Sequence, residues 1–333
     1  MNKGSNRMKF LTENVWLLKE VEKCNLILIE ELKKERLKEV KNILDHYYFK
    51  GKKLRPAITC LCSRLDGKSS NNIPFLAASV ELIHIASLFH DDVVDDTVIR
   101  RNEKSSKSRY GNIISIYSGD YALCQGLKIV ERFGNQKIKE EYVNTIHNMV
   151  RGELLAAINR FNYDITKELY IKIISYKTAS LFQLSSLIGF HSDLEEDVRI
   201  ENIKKFGWFL GIAYQIMDDL EDMIGFEEND SDLNQGYFAL PFILFLNNNS
   251  GDFIIKNKLT EKQKKEIITT LEKKKLFGKV IEEINHYLEK SMGYLKIFEN
   301  PKVMEVFSSI SSEILKKSKN TVKNYLSYLG KDI

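Results

Sequence analysis

Two aspartate triplets carry the most chemistry in this chain, and their spacing decides what that chemistry could be. In residues 81–101, ELIHIASLFHDDVVDDTVIRR, Asp91 and Asp95 are four apart with Asp92 beside them. On a helix that spacing stacks Asp91 and Asp95 on one face, and the three carboxylates are expected to converge within a few ångströms. Like charges so placed cost roughly 0.2–0.5 kcal/mol per pair unless something compensates them. A solvated acidic surface would account for one such motif. The motif recurs, however: Asp218, Asp219 and Asp222, in YQIMDDLEDMIG, repeat the i, i+1, i+4 pattern. Each triplet ends an apolar helical stretch, Ile83, Ile85, Leu88 and Phe89 before the first and Phe209, Leu210, Ile212, Tyr214 and Ile216 before the second. Carboxylates closing two mostly buried helices call for a cation. Hard oxygen ligands completed by water and phosphate oxygens describe Mg²⁺. Zinc would ask for Cys or His ligands, and His90 alone beside Asp91 supplies no set.

Magnesium on carboxylates implies a phosphate-bearing ligand, so basic counterparts should be present. Gly51-Lys52-Lys53-Leu54-Arg55-Pro56 places Lys52 and Arg55 three apart at a helix start, Arg100 and Arg101 follow the first triplet, and Lys177-Thr178 lies in a third helical region. Arg offers phosphate a bidentate fork and Lys a point charge. No Walker-type loop and no G-x-G-x-x-G turn is present, which removes the nucleotide-binding classes.

The elements that must position these side chains read as helices. Apolar residues recur at three- and four-residue spacing, as in Leu37, Val40, Ile43 and Leu44, or Ile281, Ile284, Leu288 and Met292. The chain has 4 prolines in 333 residues, where average usage would give roughly 17. Turn signals are sparse, at 66–70, Gly134-Asn135 and 247–251. Pro74 sits in a first helical turn behind a capping Asn72. Ten to twelve helices with short connections are expected, with no strand pair, no repeat and no linker. One all-α domain over residues 1–333 is the economical description, with the first ten or so residues and the Asn-rich patch at 247–249 mobile.

Composition narrows the class. Hydrophobic residues are 43% and charged residues 29%, which excludes intrinsic disorder, collagen and low-complexity fibres. The net charge is +4. The Lys-rich stretch 262–279 is interrupted by Glu266 and Glu272 and reads as a solvated helical face, so no nucleic-acid partner is expected. Four cysteines, Cys24, Cys60, Cys62 and Cys124, are too few and too irregular for a disulfide scaffold and imply a reducing compartment. The opening MNKGSNRMKF has no apolar segment, and the longest apolar run, 237–246, falls short of a membrane span. A cytoplasmic location with at most peripheral membrane contact is expected.

The motifs together resemble the trans-isoprenyl (polyprenyl) diphosphate synthase family from about Gly51 to Pro241. GKKLRP, ELIHIASLFHDDVVDD with RR, RYGN, Gly119-Asp120, Arg151-Gly152-Glu153, YKTA, YQIMDDLED and DLNQGYFALP appear in the family's order. The resemblance implies an isoprenoid-synthase-type helical bundle around a deep central cavity, usually dimeric, with the aspartate motifs facing each other across its mouth. It implies that Asp91, Asp92, Asp95, Asp218, Asp219 and Asp222 hold two to three Mg²⁺ ions against an allylic diphosphate. Arg100, Lys177 and Gln215 would contact that diphosphate, with Thr178 near the reacting carbons. Lys52, Arg55, His84 and Arg101 would bind isopentenyl diphosphate. The reaction implied is a prenyl transfer: the allylic C–O bond ionises, the double bond of isopentenyl diphosphate attacks, and proton loss completes a five-carbon addition.

Counting back from Asp91 by helical turns reaches Ser87, then Ile83 or His84, then Val80, with Ala86 beside Ser87. Small residues at 86 and 87 leave the pocket open, which in the family's terms means a long-chain product, hexaprenyl to octaprenyl, as a quinone side-chain precursor grown from farnesyl diphosphate. A farnesyl or geranylgeranyl synthase is the short-chain alternative. The 81–95 segment also resembles the large components of heteromeric heptaprenyl and hexaprenyl synthases, so either a homodimer or a complex with a small partner is implied. A terpene cyclase would share the DDxxD motif but lack Lys52, Arg55 and His84. One departure stands out: where the family often carries a Lys after the second motif, residues 225–232 have none, although Asp232 matches the loop's Asp. Lys50 and Asn102 each replace a usual Gly.

Overall fold

The computed structural model describes residues 8–48, 51–66, 70–100, 103–190, 198–225, 232–249, 253–255 and 259–328. Arg101, Lys50, Asn102, the opening residues 1–7 and most of the loop after the second aspartate motif lie outside the described residues.

The all-α class holds. The helices are α1 (Lys9–Glu13), α2 (Val15–Lys33), α3 (Lys38–Tyr48), α4 (Leu54–Cys62), α5 (Ile73–Val94), α6 (Ser106–Phe133) and α7 (Gln136–Ile158). They continue as α8 (Lys167–Ile174), α9 (Ser180–Phe190), α10 (Val198–Ile224), α11 (Leu240–Leu246), α12 (Glu261–Lys273), α13 (Leu276–Tyr294) and α14 (Pro301–Tyr328). That is more than the ten to twelve expected, because short pieces such as α1 and α11 stand as separate elements. The expectation of no strand pair is corrected: β1 (Ile99–Arg100) and β2 (Glu103–Lys104) form an antiparallel hairpin. Two-residue strands are too short for any alternation to register in a sequence.

The four prolines explain their own tolerance. Pro74 and Pro241 occupy the first turns of α5 and α11, Pro301 opens α14 and Pro56 is the third residue of α4, positions where the missing N–H has no helical partner to lose. Asn72 precedes α5 but makes no side-chain cap there, so its reading as a capping residue is corrected. Asn248 Nδ2 donates to Leu244 O at 2.8 Å, Asn249 Nδ2 to Glu266 Oε1 at 3.1 Å, and Lys274 Nζ donates to Asn248 O.

The described residues gather into two compact units, and neither is a continuous stretch of chain. The first comprises Met1–Ile146, Leu181–Lys204 and Lys296–Val306. Its centre is α5, packed on α2, α4 and α6. Helix α5 is long and apolar enough to cross a membrane by composition, yet 72% of its apolar window is buried; that apolarity serves a core position. Tyr142 Oη donates to Ser79 O at 2.8 Å inside this core. Lys53, at φ 53°, reaches Glu81 of α5 at 3.0 Å, with both side chains buried. This pair ties the start of α4 to α5 and explains why the second Lys of GKKLRP is structural. Gly111, at φ 84°, breaks the regular course of α6 and accounts for the RYGN motif.

The second unit comprises His147–Ser180, Lys205–Leu295 and Phe307–Ile333. Helices α11, α12 and α13 pack against one another and α11 touches α8. Phe242 lies 4.6 Å from Phe238 and 5.6 Å from Phe245, ring to ring, under α11. Phe206 meets Phe307 edge-on at 4.7 Å.

Candidate active site

Each unit carries one aspartate motif at the C-terminal end of a helix. Asp91 and Asp92 close α5, and Asp95 is its C-cap at φ −91°, ψ 6°. Asp218, Asp219 and Asp222 lie within the last two turns of α10, which ends at Ile224. The carbonyl ends of helices carry partial negative charge, so carboxylates there repel the dipole and add to its attraction for cations.

The expected convergence of three carboxylates is corrected. Among the described residues, no three carboxylate, imidazole or thiol groups gather closely enough to hold a metal ion by themselves. In both triplets the second aspartate has donors on both of its carboxylate oxygens. Asp92 is fully buried, its Oδ1 accepting from Arg100 Nε at 2.5 Å and its Oδ2 from the Ser106 N–H, the first of α6, at 3.1 Å. Asp219 accepts from Tyr170 Oη on Oδ2 at 2.5 Å and from Gln215 Nε2 on Oδ1 at 2.7 Å. Helical geometry is the cause of the burial of Asp92: one residue on from Asp91 is a rotation of about 100°, which puts Asp92 on the buried stripe of Ile85 and Phe89. Asp91, Asp95, Asp218 and Asp219 stay partly open, and Asp222 is exposed.

The second motif is crowded with negative charge. Burial pushes the Asp219 carboxyl up to about 7 from its ordinary 3.8, with Asp232 and Asp218 adding to the rise against the hydrogen bonds of Tyr170 and Gln215. Asp222 also reaches about 7, from the protein packed round its carboxyl first and then Asp232, Asp219 and Glu221. Lys317 of α14 pairs with the neighbouring Glu221, which also accepts from Thr321 Oγ1 at 3.3 Å. An anionic cluster whose members are held up to neutral pH fits a divalent cation whose remaining ligands are water and phosphate oxygens.

A pH dependence follows from these shifts. Folded carboxyls near 7 against an unfolded value of 3.8 bind more protons than the unfolded chain between those limits. The stability of the metal-free protein should therefore fall as pH rises from about 4 to about 7 and stay at the lower level above. A divalent cation binds the ionised form, so thermal denaturation should show Mg²⁺ raising the melting temperature more at about pH 8 than at about pH 5.5. An equal rise at both pH values would remove these carboxyls from the metal site.

Lys177 sits on an irregular, closely packed turn. Residues Ser175–Ala179 form a π-helical turn between α8 and α9, a bulge often found at functional positions. Helix α7 comes so close to it that a methyl group on Gly152 would sit 2.5 Å from Lys177 N. Glu153 Oε2 then meets Lys177 Nζ at 3.0 Å, and the Tyr237 ring centroid lies 6.0 Å from the same Nζ. Thr178 Oγ1 donates to Gln215 Oε1 at 2.6 Å, so Thr178, Gln215, Asp219 and Tyr170 form one chain of hydrogen bonds.

The remaining expected residues sit in the first unit. Lys52 lies in the turn before α4, Arg55 in its first turn with its guanidinium carbon 4.9 Å from the Phe182 ring centroid, and His84 half-buried on α5. His90 Nε2 lies 3.2 Å from Asp120 Oδ1, which gives the Gly119-Asp120 motif a role. Val80, Ile83 and Ala86 are buried on α5, whereas Ser87 is partly open on the stripe it shares with His84 and Asp91. Sequence reasoning missed Tyr170, Glu153, Tyr237 and Lys317. Glu153 and Tyr237 stood inside quoted motifs without a role. Tyr170 and Lys317 stood in none.

Comparison with known proteins adds to this geometry. A family model described as "Polyprenyl synthetase" matches residues 37–277. The chain is 28% identical over 275 residues to "Heptaprenyl diphosphate synthase component 2" of Bacillus subtilis (strain 168), covering 80% of this chain and 79% of that protein. It is 32% identical over 231 residues to "Octaprenyl diphosphate synthase" of Escherichia coli (strain K12), covering 66% and 69% respectively. The crystal structure of a polyprenyl synthase from Caulobacter crescentus CB15, complexed with calcium and isoprenyl diphosphate, matches with a TM-score of 0.79 at 25% identity, over 90% of this chain and 96% of that one.

Proposed function

The chain belongs to the polyprenyl synthetase family and is a prenyltransferase of the all-α isoprenoid-synthase fold, and from that premise we propose that it is a long-chain trans-polyprenyl diphosphate synthase. It adds isopentenyl diphosphate successively to an allylic diphosphate, with farnesyl diphosphate as primer and a hexaprenyl to octaprenyl product that becomes a quinone side chain. The observation that carries the chain length is the pair of small residues, Ala86 and Ser87, in the turn of α5 before Asp91. Two relatives named for heptaprenyl and octaprenyl products support it.

The family's reaction depends on a divalent metal; we take it to be two to three Mg²⁺ ions, which when bound stabilise the charge developing on the leaving diphosphate. Asp91, Asp95, Asp218 and Asp222 would hold them, while Asp92 and Asp219 anchor their helices. Lys177 places a fixed positive charge against the allylic diphosphate, Arg100 and Gln215 add hydrogen bonds, and Thr178 sits beside the reacting carbons. Lys52, Arg55, His84 and Arg101 hold the diphosphate of isopentenyl diphosphate. The allylic C–O bond breaks, its electron pair leaving with the diphosphate, and the isopentenyl double bond forms the new C–C bond. The departing diphosphate takes the proton that restores a double bond. Apolar residues around each motif keep water from the cation.

Exposed apolar side chains on α6, among them Ile113 and Tyr117, and on α7, Val150, Leu154 and Ile158, support a homodimer. The "component 2" in the name of the Bacillus relative supports the other reading, a catalytic subunit that needs a small partner. A cytoplasmic location with at most peripheral membrane contact and no nucleic-acid partner completes the proposal. The purified chain alone, given Mg²⁺, farnesyl diphosphate and isopentenyl diphosphate, should yield products of six to eight isoprene units by mass spectrometry. Activity that appears only with a second polypeptide would replace the homodimer by the heteromer, and products of four units or fewer would replace the long-chain reading.

A further inference from the structure

We infer that Tyr170 is a positioning residue for the second aspartate motif, an inference that rests on reading that motif as part of the allylic diphosphate site. Tyr170 is buried on α8, 3% exposed, and its hydroxyl meets Asp219 Oδ2 at 2.5 Å. The rest of the chain of bonds is set by what each group can donate. Asp219 accepts on both oxygens, from Tyr170 on one and on the other from Gln215, which turns its amide nitrogen toward it at 2.7 Å. Its amide oxygen is then left to accept from the Thr178 hydroxyl, at 2.6 Å. Which way Gln215 faces is thus inherited from Asp219.

Gln215 and Asp219 are one turn apart on α10, so their mutual bond fixes them only relative to each other. Tyr170 comes from a different helix and fixes the pair in place. With its hydroxyl gone, the carboxylate can turn, the Gln215 amide can reverse, and an amide oxygen would then face an incoming diphosphate where an N–H should be. The Thr178 hydroxyl would lose its acceptor in the same movement. Tyr170 therefore acts through Asp219 and Gln215 without touching the substrate.

The test is Tyr170→Phe, which keeps the ring and its packing and removes one hydroxyl. Four readouts are compared with the parent: the melting temperature without metal, the rise in melting temperature on adding Mg²⁺ with inorganic pyrophosphate, kcat, and the KM of each substrate. The metal-free melting temperature should hold within a few degrees, while kcat falls by about 10- to 100-fold, the range typical of residues that orient a metal site from behind its ligands. The KM for the allylic diphosphate should rise and that for isopentenyl diphosphate should stay within about two-fold, while the rise on Mg²⁺ and pyrophosphate should shrink. The Tyr170→Phe/Asp219→Asn pair should be no worse than Asp219→Asn alone, because both changes break one chain of bonds. A lowered metal-free melting temperature with additive losses in the pair would make Tyr170 a packing residue and overturn the inference, as would parent-like values in all four readouts. If the parent makes no prenyl product, the functional reading fails while the Mg²⁺–pyrophosphate comparison still decides on Tyr170. No stabilisation of the parent by Mg²⁺ and pyrophosphate would overturn both.

Discussion

Asp218→Ala should lower turnover by on the order of 10³-fold or more while leaving the metal-free protein at least as stable as the parent. The two effects run in opposite directions for one physical reason. Asp218 is partly open at the carbonyl end of α10, beside two carboxyls that burial and mutual repulsion hold at about 7. Without a cation its charge is a liability, because it repels Asp219 and sits at the negative end of the helix dipole. With a cation it becomes one of few protein ligands, since among the described residues no three such groups are placed to hold a metal ion by themselves. Removing one preorganised electrostatic contact to a developing anion typically costs about 10²–10³ in kcat, and here a metal ligand goes with it. Incorporation of labelled isopentenyl diphosphate and a thermal melt on the same preparation would decide the matter. Activity within a few-fold of the parent would remove Asp218 from the metal site, and a large drop in melting temperature would make its role structural. Asp91→Ala should behave alike, because Asp91 lies near the carbonyl end of α5 as Asp218 does on α10.

Asp219→Ala should differ in kind. Its two oxygens already hold Tyr170 and Gln215, so its loss strands a buried tyrosine hydroxyl and an amide, each costing about 1–3 kcal/mol when left unsatisfied. Neighbouring aspartates of one motif thus separate into a carboxylate left for a cation and one whose two oxygens are already held by protein donors. The helical wheel contained that distinction: Asp92 falls on the stripe of Ile85 and Phe89, and every buried aspartate needs donors. What no wheel contains is where the donors come from. Ser106 and Arg100 reach Asp92 across a hairpin of two-residue strands, and Tyr170 reaches Asp219 from 49 residues away.

The same division runs through the fold. Helical period and proline placement were readable because both are local, and the four prolines all lie in first turns. The two aspartate motifs were readable because i, i+1, i+4 spacing is local too. Long-range partners were not. Lys317 lies in a stretch of α14 with no motif, yet it neutralises Glu221 and so keeps one more charge off the second motif. Glu153 is an ordinary acidic residue in the sequence, and only the approach of α7 to the π-turn at Gly152 makes it the partner of Lys177.

Ala86→Phe should shorten the product while sparing the first condensation. Ala86 precedes Asp91 by five residues on α5, about 7.5 Å along the helix axis, and is 3% exposed. If the small residues of α5 leave room for the growing chain, a phenyl ring there would fill it. It should also cost about 1–3 kcal/mol in overpacking, which the melting temperature will report. None of the diphosphate-binding residues is touched, so the rate of the first addition to farnesyl diphosphate should stay within several-fold of the parent. Later additions should fail as the chain reaches the ring, and mass analysis of the products should show a distribution shifted down by one or more isoprene units. Ser87→Phe is the control that locates the wall. Ser87 is partly open on the stripe it shares with His84 and Asp91, so its side chain enters the substrate space with less strain and should truncate the product at least as strongly. If both variants fold and still make the parent product, the small residues of α5 serve only close helix packing, and the floor of the pocket is set elsewhere.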